Sequence, residues 1–171
     1  MPALVVYGLP CTGKTSLIKN LDNYQHISVD SIIKLKNKNP DISDFLTFSD
    51  QIMQDILTIV DNSNIVIEMG CLIPKKGILH LESGLKKMQC VFSNIVLTAD
   101  HDELITRIKK RNANIGKGKS NSIKIDGPDF LTRFTRLFDN NQPDNAVYVD
   151  TSNKTNTDVL SIVKSINKLS I

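Results

Sequence analysis

An apolar run, Ala3-Leu4-Val5-Val6-Tyr7, leads directly into Gly8-Leu9-Pro10-Cys11-Thr12-Gly13-Lys14-Thr15, and an amphipathic segment follows from Lys14. The run has the continuous apolar character of a strand buried on both faces. The eight residues after it meet the spacing GxxxxGK[ST] at every fixed position. Strand, glycine-rich turn and helix N-terminus in that order make a cradle for phosphate groups. Glycine lets backbone N–H groups turn inward and approach phosphate oxygens, and the helix end adds partial positive charge. Gly8, Pro10, Cys11, Thr12, Gly13, Lys14, Thr15 and Ser16 are therefore the candidate binding residues. Lys14 is placed to reach β- and γ-phosphates, and the Thr15 hydroxyl to ligate Mg²⁺. Cys11 reads as a small filler of the loop.

The rest of the chain repeats the strand-helix alternation. Strands are expected over Gln25–Val29, Asn64–Glu68, Ile95–Leu97 and Ala146–Val149, and helices over Lys14–Leu21, Asp44–Val60, Ile78–Met88, Asp102–Arg111, Asp129–Phe138 and Asp158–Leu169. Phe45, Phe48, Ile52, Ile56 and Ile59 recur at three- and four-residue spacing, one stripe facing a core. The pattern predicts an α/β fold with one parallel sheet and helices on both faces. At 171 residues the chain has room for a single domain, 1–171. Two stretches break the rhythm: 31–63, read as an insertion on the acceptor side, and the Gly/Ser/Asn/Lys-rich 112–128, read as a lid loop.

Composition excludes several classes. With 40% hydrophobic and 23% charged residues the chain is an ordinary globular one. No apolar run approaches membrane-span length, and with the first strand expected from about Leu4 no targeting segment is expected ahead of it. Three cysteines without a CxxC point to a reducing, cytoplasmic setting and no structural zinc. The net charge of +3 conceals a window, Arg107 to Arg136, with nine Lys and Arg against two Asp. All four arginines lie there, at 107, 111, 133 and 136. Arg is the side chain suited to bidentate phosphate recognition. Arg107 and Arg111, one helical turn apart, share a face. With Arg133 on the next helix, they can close over a triphosphate and meet charge developing in transfer.

Two acids complete the candidate site. Asp30, expected at the end of the second strand, is either a base toward an attacking hydroxyl or a helix N-cap. Glu68 ends the third strand and either fixes Mg²⁺ or is a partly buried acid at the sheet. His26, His80 and His101 lack metal-ligand spacing and read as structural or exposed. Asn153-Lys154-Thr155-Asn156 misses the guanine-reading NKxD at its last position, which disfavours a GTPase.

With these residues together the chain resembles the P-loop kinases of nucleotides and small molecules: adenylate kinase, shikimate kinase, chloramphenicol phosphotransferase, zeta-toxin kinases and polynucleotide kinase. The likeness runs from GLPCTGKT through HISVDS and IVLTADHDELITRIKKR to VYVDTS. It implies the P-loop NTPase fold with a five-stranded sheet of order 2-3-1-4-5. It also implies a lid between the helix of Arg107/Arg111 and that of Arg133, and a loop after Asp150 near the adenine. The stretch His26 to Lys34 is similar both to the acceptor-holding segment of adenylate kinases and to the VDS stretch of chloramphenicol phosphotransferase. No arginine precedes position 107, so an acceptor phosphate would fall to Lys34, Lys75 or Lys76.

The expectation is an ATP- and Mg²⁺-dependent kinase acting on a hydroxyl of a small molecule, nucleoside or nucleic-acid end. Asp30 is the expected base, Lys14, Arg111 and Arg133 the charge stabilisers, and Thr15 and Glu68 the metal side. A nucleoside monophosphate kinase and a nucleotide-binding regulatory protein are the alternatives. A nucleic-acid partner is not favoured, since 5% aromatic residues leave little to stack bases on.

Overall fold

A run as apolar as Ala3 to Tyr7 is accommodated only between two layers of helices. In the computed structural model, which describes residues 2–37, 49–60, 64–116, 125 and 128–169, it forms β1 (Pro2–Gly8), buried along its whole length after Pro2. β2 (Gln25–Ser28), β3 (Ile65–Glu68), β4 (Val91–Thr98) and β5 (Ala146–Asp150) join it in one sheet of order β2-β3-β1-β4-β5. Every pairing is parallel.

The period-two alternation of the strands divides the core. Ala3, Val5, Tyr7, Ile65, Ile67 and Val96 face one layer. That layer draws on α2 (Val29–Lys36), α3 (Ser49–Ile59), α4 (Lys75–Lys87), α5 (His101–Gly116) and α6 (Pro128–Asn140). Leu4, Val6, Val66, Ile95, Leu97 and Val149 face the other, where α1 (Lys14–Ile18) contributes Leu17 and Ile18 and α7 (Asn156–Leu169) contributes Val159 and Val163. Helices thus cover both faces, as the alternation predicts. No helix among the described residues is long and apolar enough to cross a membrane.

Some boundaries differ from the sequence expectation, each for a local reason. β4 begins at Val91 because all of β1 pairs with it, from Pro2 opposite Val91 to Gly8 opposite Leu97. β2 stops at Ser28, whose Oγ accepts the Ser31 N–H and caps α2. α5 runs on through Gly116, past Arg111 into the stretch expected as loop. Asn112 then tethers the returning chain by accepting the Ile125 N–H at 3.0 Å and donating to the Ile125 carbonyl. Most of 112–128, and residues 38–48 and 61–63 of the 31–63 stretch, lie outside the described residues, as do Phe45 and Phe48 of the apolar stripe.

Candidate active site

The C-terminal ends of parallel strands gather at one edge, the crevice where α/β sheets bind ligands. Gly8 ends β1 there and cannot be replaced without movement. Its φ is 156°, and a Cβ would lie 2.8 Å from the Leu97 carbonyl oxygen and 2.5 Å from Thr12 Oγ1. Cys11 and Gly13 also have positive φ, 68° and 97°, so the chain coils tightly before α1 starts at Lys14. Thr12 is buried and donates its hydroxyl to the Leu9 carbonyl at 2.9 Å, holding the coil. Lys14 Nζ donates to the carbonyls of Gly8 (2.8 Å) and Leu9 (3.0 Å), so its ammonium lies over the loop. Burial lowers its pKa, against the opposing influence of Cys71, Glu68, Asp30 and Cys11 nearby.

Thr15 follows in the first turn of α1 and donates its hydroxyl to Glu68 Oε1 at 2.7 Å. Glu68 ends β3, and its other oxygen, Oε2, lies 3.1 Å from His26 Nε2. Two hard oxygen donors beside a phosphate cradle suit Mg²⁺, which is commonly held by one or two protein oxygens plus substrate phosphates. Among the described residues no group of three or more His, Cys, Asp and Glu side chains converges as a cage of its own.

Asp30 lies in the first turn of α2, neither ending β2 nor capping the helix, because Ser28 takes the cap. The carboxyl rests against Gly70, where an added Cβ would come within 3.0 Å of Oδ1. As a residue Asp30 is exposed, yet its carboxyl is crowded by protein atoms and partly stripped of water. That loss of hydration raises its pKa; Glu68 adds to the rise, and Lys14, Lys34 and Arg111 oppose it. The fold thus brings Lys14, Lys34, Glu68 and Arg111 into electrostatic range of Asp30, the five residues coming from four elements, α1, α2, β3 and α5.

Arg107 serves as a strut within the protein. Its Nη1 donates to the Cys11 carbonyl (3.3 Å) and Thr151 Oγ1 (3.0 Å), Nη2 to the Thr151 carbonyl (2.8 Å), and Nε to Glu103 (2.9 Å). Arg111, one turn on, places Nη1 3.9 Å from Cys11 Sγ. Beside this strut opens a cleft of about 400 Å³, lined among others by Gly13, Ser16, Arg107, Lys110, Thr151 and Lys154. Arg133 is exposed on α6 and has no hydrogen-bond partner among the described residues, and Arg136 lines a separate shallow surface hollow with His101 and Asp139. Lys75 pairs with Asp144 and the Gln142 carbonyl, and Lys76 pairs with Asp50. Of the three lysines considered for an acceptor phosphate, Lys34 is the one whose charge acts on Asp30.

No protein-family model and no curated protein matches the chain. Solved structures do. A sugar kinase from Janibacter sp. HTCC2649 superposes with a TM-score of 0.67 at 12% identity, over 96% of this chain and 93% of that one. A gluconokinase from Sinorhizobium meliloti 1021 gives 0.67 at 16% identity, over 99% and 93%. The APS kinase of Mycobacterium tuberculosis, solved with AMPPNP and APS, gives 0.65 at 13%, over 98% and 97%. At such identities the likeness is one of fold, and it extends end to end. The chain has the fold of the P-loop kinases of nucleotides and small molecules.

Proposed function

We propose that the protein is an ATP- and Mg²⁺-dependent phosphotransferase that moves the γ-phosphoryl group to a hydroxyl of a small molecule. The observation that carries this is the convergence of Asp30, Lys14 and the Thr15–Glu68 pair on one phosphate-binding loop. Phosphoryl transfer needs little covalent help; positioning and charge stabilisation supply most of the catalysis. The coil from Gly8 to Ser16 holds the phosphates, and the cleft beside Arg107 takes the nucleoside end. Thr15 and Glu68 would hold Mg²⁺, which neutralises charge on the β- and γ-oxygens. Asp30 accepts the proton of the acceptor hydroxyl as its oxygen bonds to the γ-phosphorus, and the bond to the ADP oxygen breaks. Lys14 and Arg111 stabilise the charge that develops, and Arg133 on α6 is the further cation assigned to it.

A raised pKa suits Asp30 to this role, because a more basic carboxylate accepts a proton more readily. The acceptor is a hydroxyl compound without a phosphate of its own. Of the three lysines considered for an acceptor phosphate, Lys75 and Lys76 are already paired, which leaves Lys34 in place of the arginine fork that grips such a group.

The test is ADP release from Mg·ATP in the presence of sugars and other polyols, hydroxylated metabolites and antibiotics, nucleosides, nucleoside monophosphates and a 5′-hydroxyl oligonucleotide, with Lys14→Ala as the blank. Stimulation by one hydroxyl class is expected. Stimulation by monophosphates alone, or tight ATP binding with no stimulation by any class, overturns the assignment.

A further inference from the structure

Glu68 is held at both oxygens, and the second holder lies outside the phosphate loop. Oε1 accepts from Thr15 at 2.7 Å and Oε2 lies 3.1 Å from His26 Nε2. A carboxylate only accepts, so the proton between them is on Nε2. The contact follows from the pairing of β2 with β3. His26 stands opposite Val66 and Ser28 opposite Glu68, so His26 and Glu68 share one face of the sheet, two residues apart along the strands. Val66 packs on that face against Leu17 and Ile18 of α1, the helix that carries Thr15. The histidine side chain is 38% exposed and the glutamate 14%, so the imidazole stands on the solvent side of the acid.

We propose that His26 is a positioning residue for Glu68, locking the carboxylate in the orientation in which it and Thr15 receive the Mg²⁺ of the bound nucleotide. This rests on the nucleotide-binding function proposed above. A lone hydrogen bond to Thr15 leaves the glutamate free to swing about its side-chain torsions; a second bond from a different strand removes that freedom. Partners that orient metal-holding side chains commonly matter tenfold or more for metal affinity.

The experiment is fluorescent-ATP binding to the full chain, measured once with Mg²⁺ and once with EDTA. His26→Ala should weaken binding about tenfold in Mg²⁺ and leave it within about twofold in EDTA. His26→Gln, whose amide reaches about as far as Nε2, should recover most of the loss. Glu68→Gln supplies a second arm: in that background His26→Ala should have no further effect on the Mg²⁺ dependence. Unchanged Mg²⁺-dependent binding in His26→Ala, equal weakening in EDTA, or additive effects with Glu68→Gln each overturn the proposal. A wild-type chain that binds no nucleotide overturns the kinase assignment and this proposal together, whereas a binding wild type with an indifferent His26→Ala overturns this one alone.

Discussion

Arg107 grips Thr151 twice, through Nη1 to the side-chain oxygen at 3.0 Å and Nη2 to the backbone carbonyl at 2.8 Å. Its remaining donors reach the phosphate loop at Cys11 and, within α5, Glu103. One guanidinium therefore joins the loop, α5 and the segment after β5, which are the walls of the 400 Å³ cleft. Lysine has no planar fork and cannot serve these directions at once. Arg107→Lys should lower stability by about 2 kcal/mol, as expected for losing bonds from a charged donor, and weaken ATP binding in parallel. Urea unfolding and a binding titration check both. A loss of binding with stability intact would mean that Arg107 acts on the ligand and not as a strut.

Gly8 and Gly13 both have positive φ, yet their surroundings differ. A Cβ at Gly8 would meet the Leu97 carbonyl at 2.8 Å, while one at Gly13 would stand in open space. Gly13→Ala should cost about 1 kcal/mol, the penalty of a left-handed backbone alone. Gly8→Ala should cost about 3 kcal/mol or more, because β1 and β4 must part to admit it. Urea midpoints of the two variants, at matched denaturant slopes, give the comparison. Equal costs would mean that contact with Leu97 plays no part.

These contrasts show what a linear reading can and cannot reach. Gly8 to Thr15 is a contiguous pattern whose chemistry is local, so its place between a buried strand and a helix was legible from spacing. The parallel sheet with helices on both faces is legible too, because the order of apolar runs and helical stripes along the chain is a short-range pattern. The cap of α2 falls at Ser28, two residues before the one Asp30 offered: Asp and Ser are both good helix caps, and nothing local says that Ser28 wins. The partnership of His26 with Glu68 spans 42 positions and exists only because β2 pairs with β3, so His26 looked like an ordinary lone histidine. The charge of Arg107 is visible in the sequence, whereas the Thr151 carbonyl that it also grips, 44 positions away, is not.

Asp30→Asn removes the proton acceptor while keeping shape and one hydrogen-bonding oxygen. Turnover should fall by about 10²- to 10⁴-fold, the usual worth of a general base, with ATP affinity within a few-fold. In the wild type the acidic limb of the rate profile should lie above the ordinary carboxylate range, since burial raises the Asp30 pKa. The same shift has a stability consequence. A folded-state pKa above the unfolded value means the folded protein holds the proton more tightly, so this favourable contribution is complete at low pH and lost as pH rises through the folded pKa. Asp30→Asn should therefore be more thermostable relative to wild type at pH 7 than at pH 4. An active Asp30→Asn enzyme would end the base assignment.

The three cysteines differ in accessibility. Cys11 is half-buried and lines the cleft beside Arg107, while Cys71 and Cys90 are buried. Burial also pushes the Cys71 thiol up to about 12 and raises that of Cys90, keeping both protonated. A thiol reagent on the native protein should modify one cysteine rapidly, at position 11, and ATP should protect it. Mass mapping after brief alkylation identifies the site. Rapid labelling at 71 or 90, or no protection by ATP, would contradict the placement of the cleft beside the loop.

Lysines decide what the acceptor can carry. Lys75 is anchored by the Gln142 carbonyl and Asp144, and its own N–H donates to Asn141 Oδ1 at 2.9 Å. Asp144 is 72% exposed, so the ion pair itself is worth about 1 kcal/mol or less. Lys75→Ala should thus cost a little stability and leave the acceptor KM unchanged. Lys34 is exposed on α2, and its charge reaches Asp30. For a neutral hydroxyl acceptor, Lys34→Ala should leave the acceptor KM within about twofold, because no charge-assisted bond is lost. For an anionic acceptor the same change should raise KM about tenfold or more, the loss expected when a charge-assisted hydrogen bond disappears. Steady-state kinetics of the two variants against the identified acceptor separate these outcomes. A large KM effect from Lys34→Ala would reassign the substrate to a phosphorylated or carboxylated class, with Asp30 and Lys34 together holding its head group.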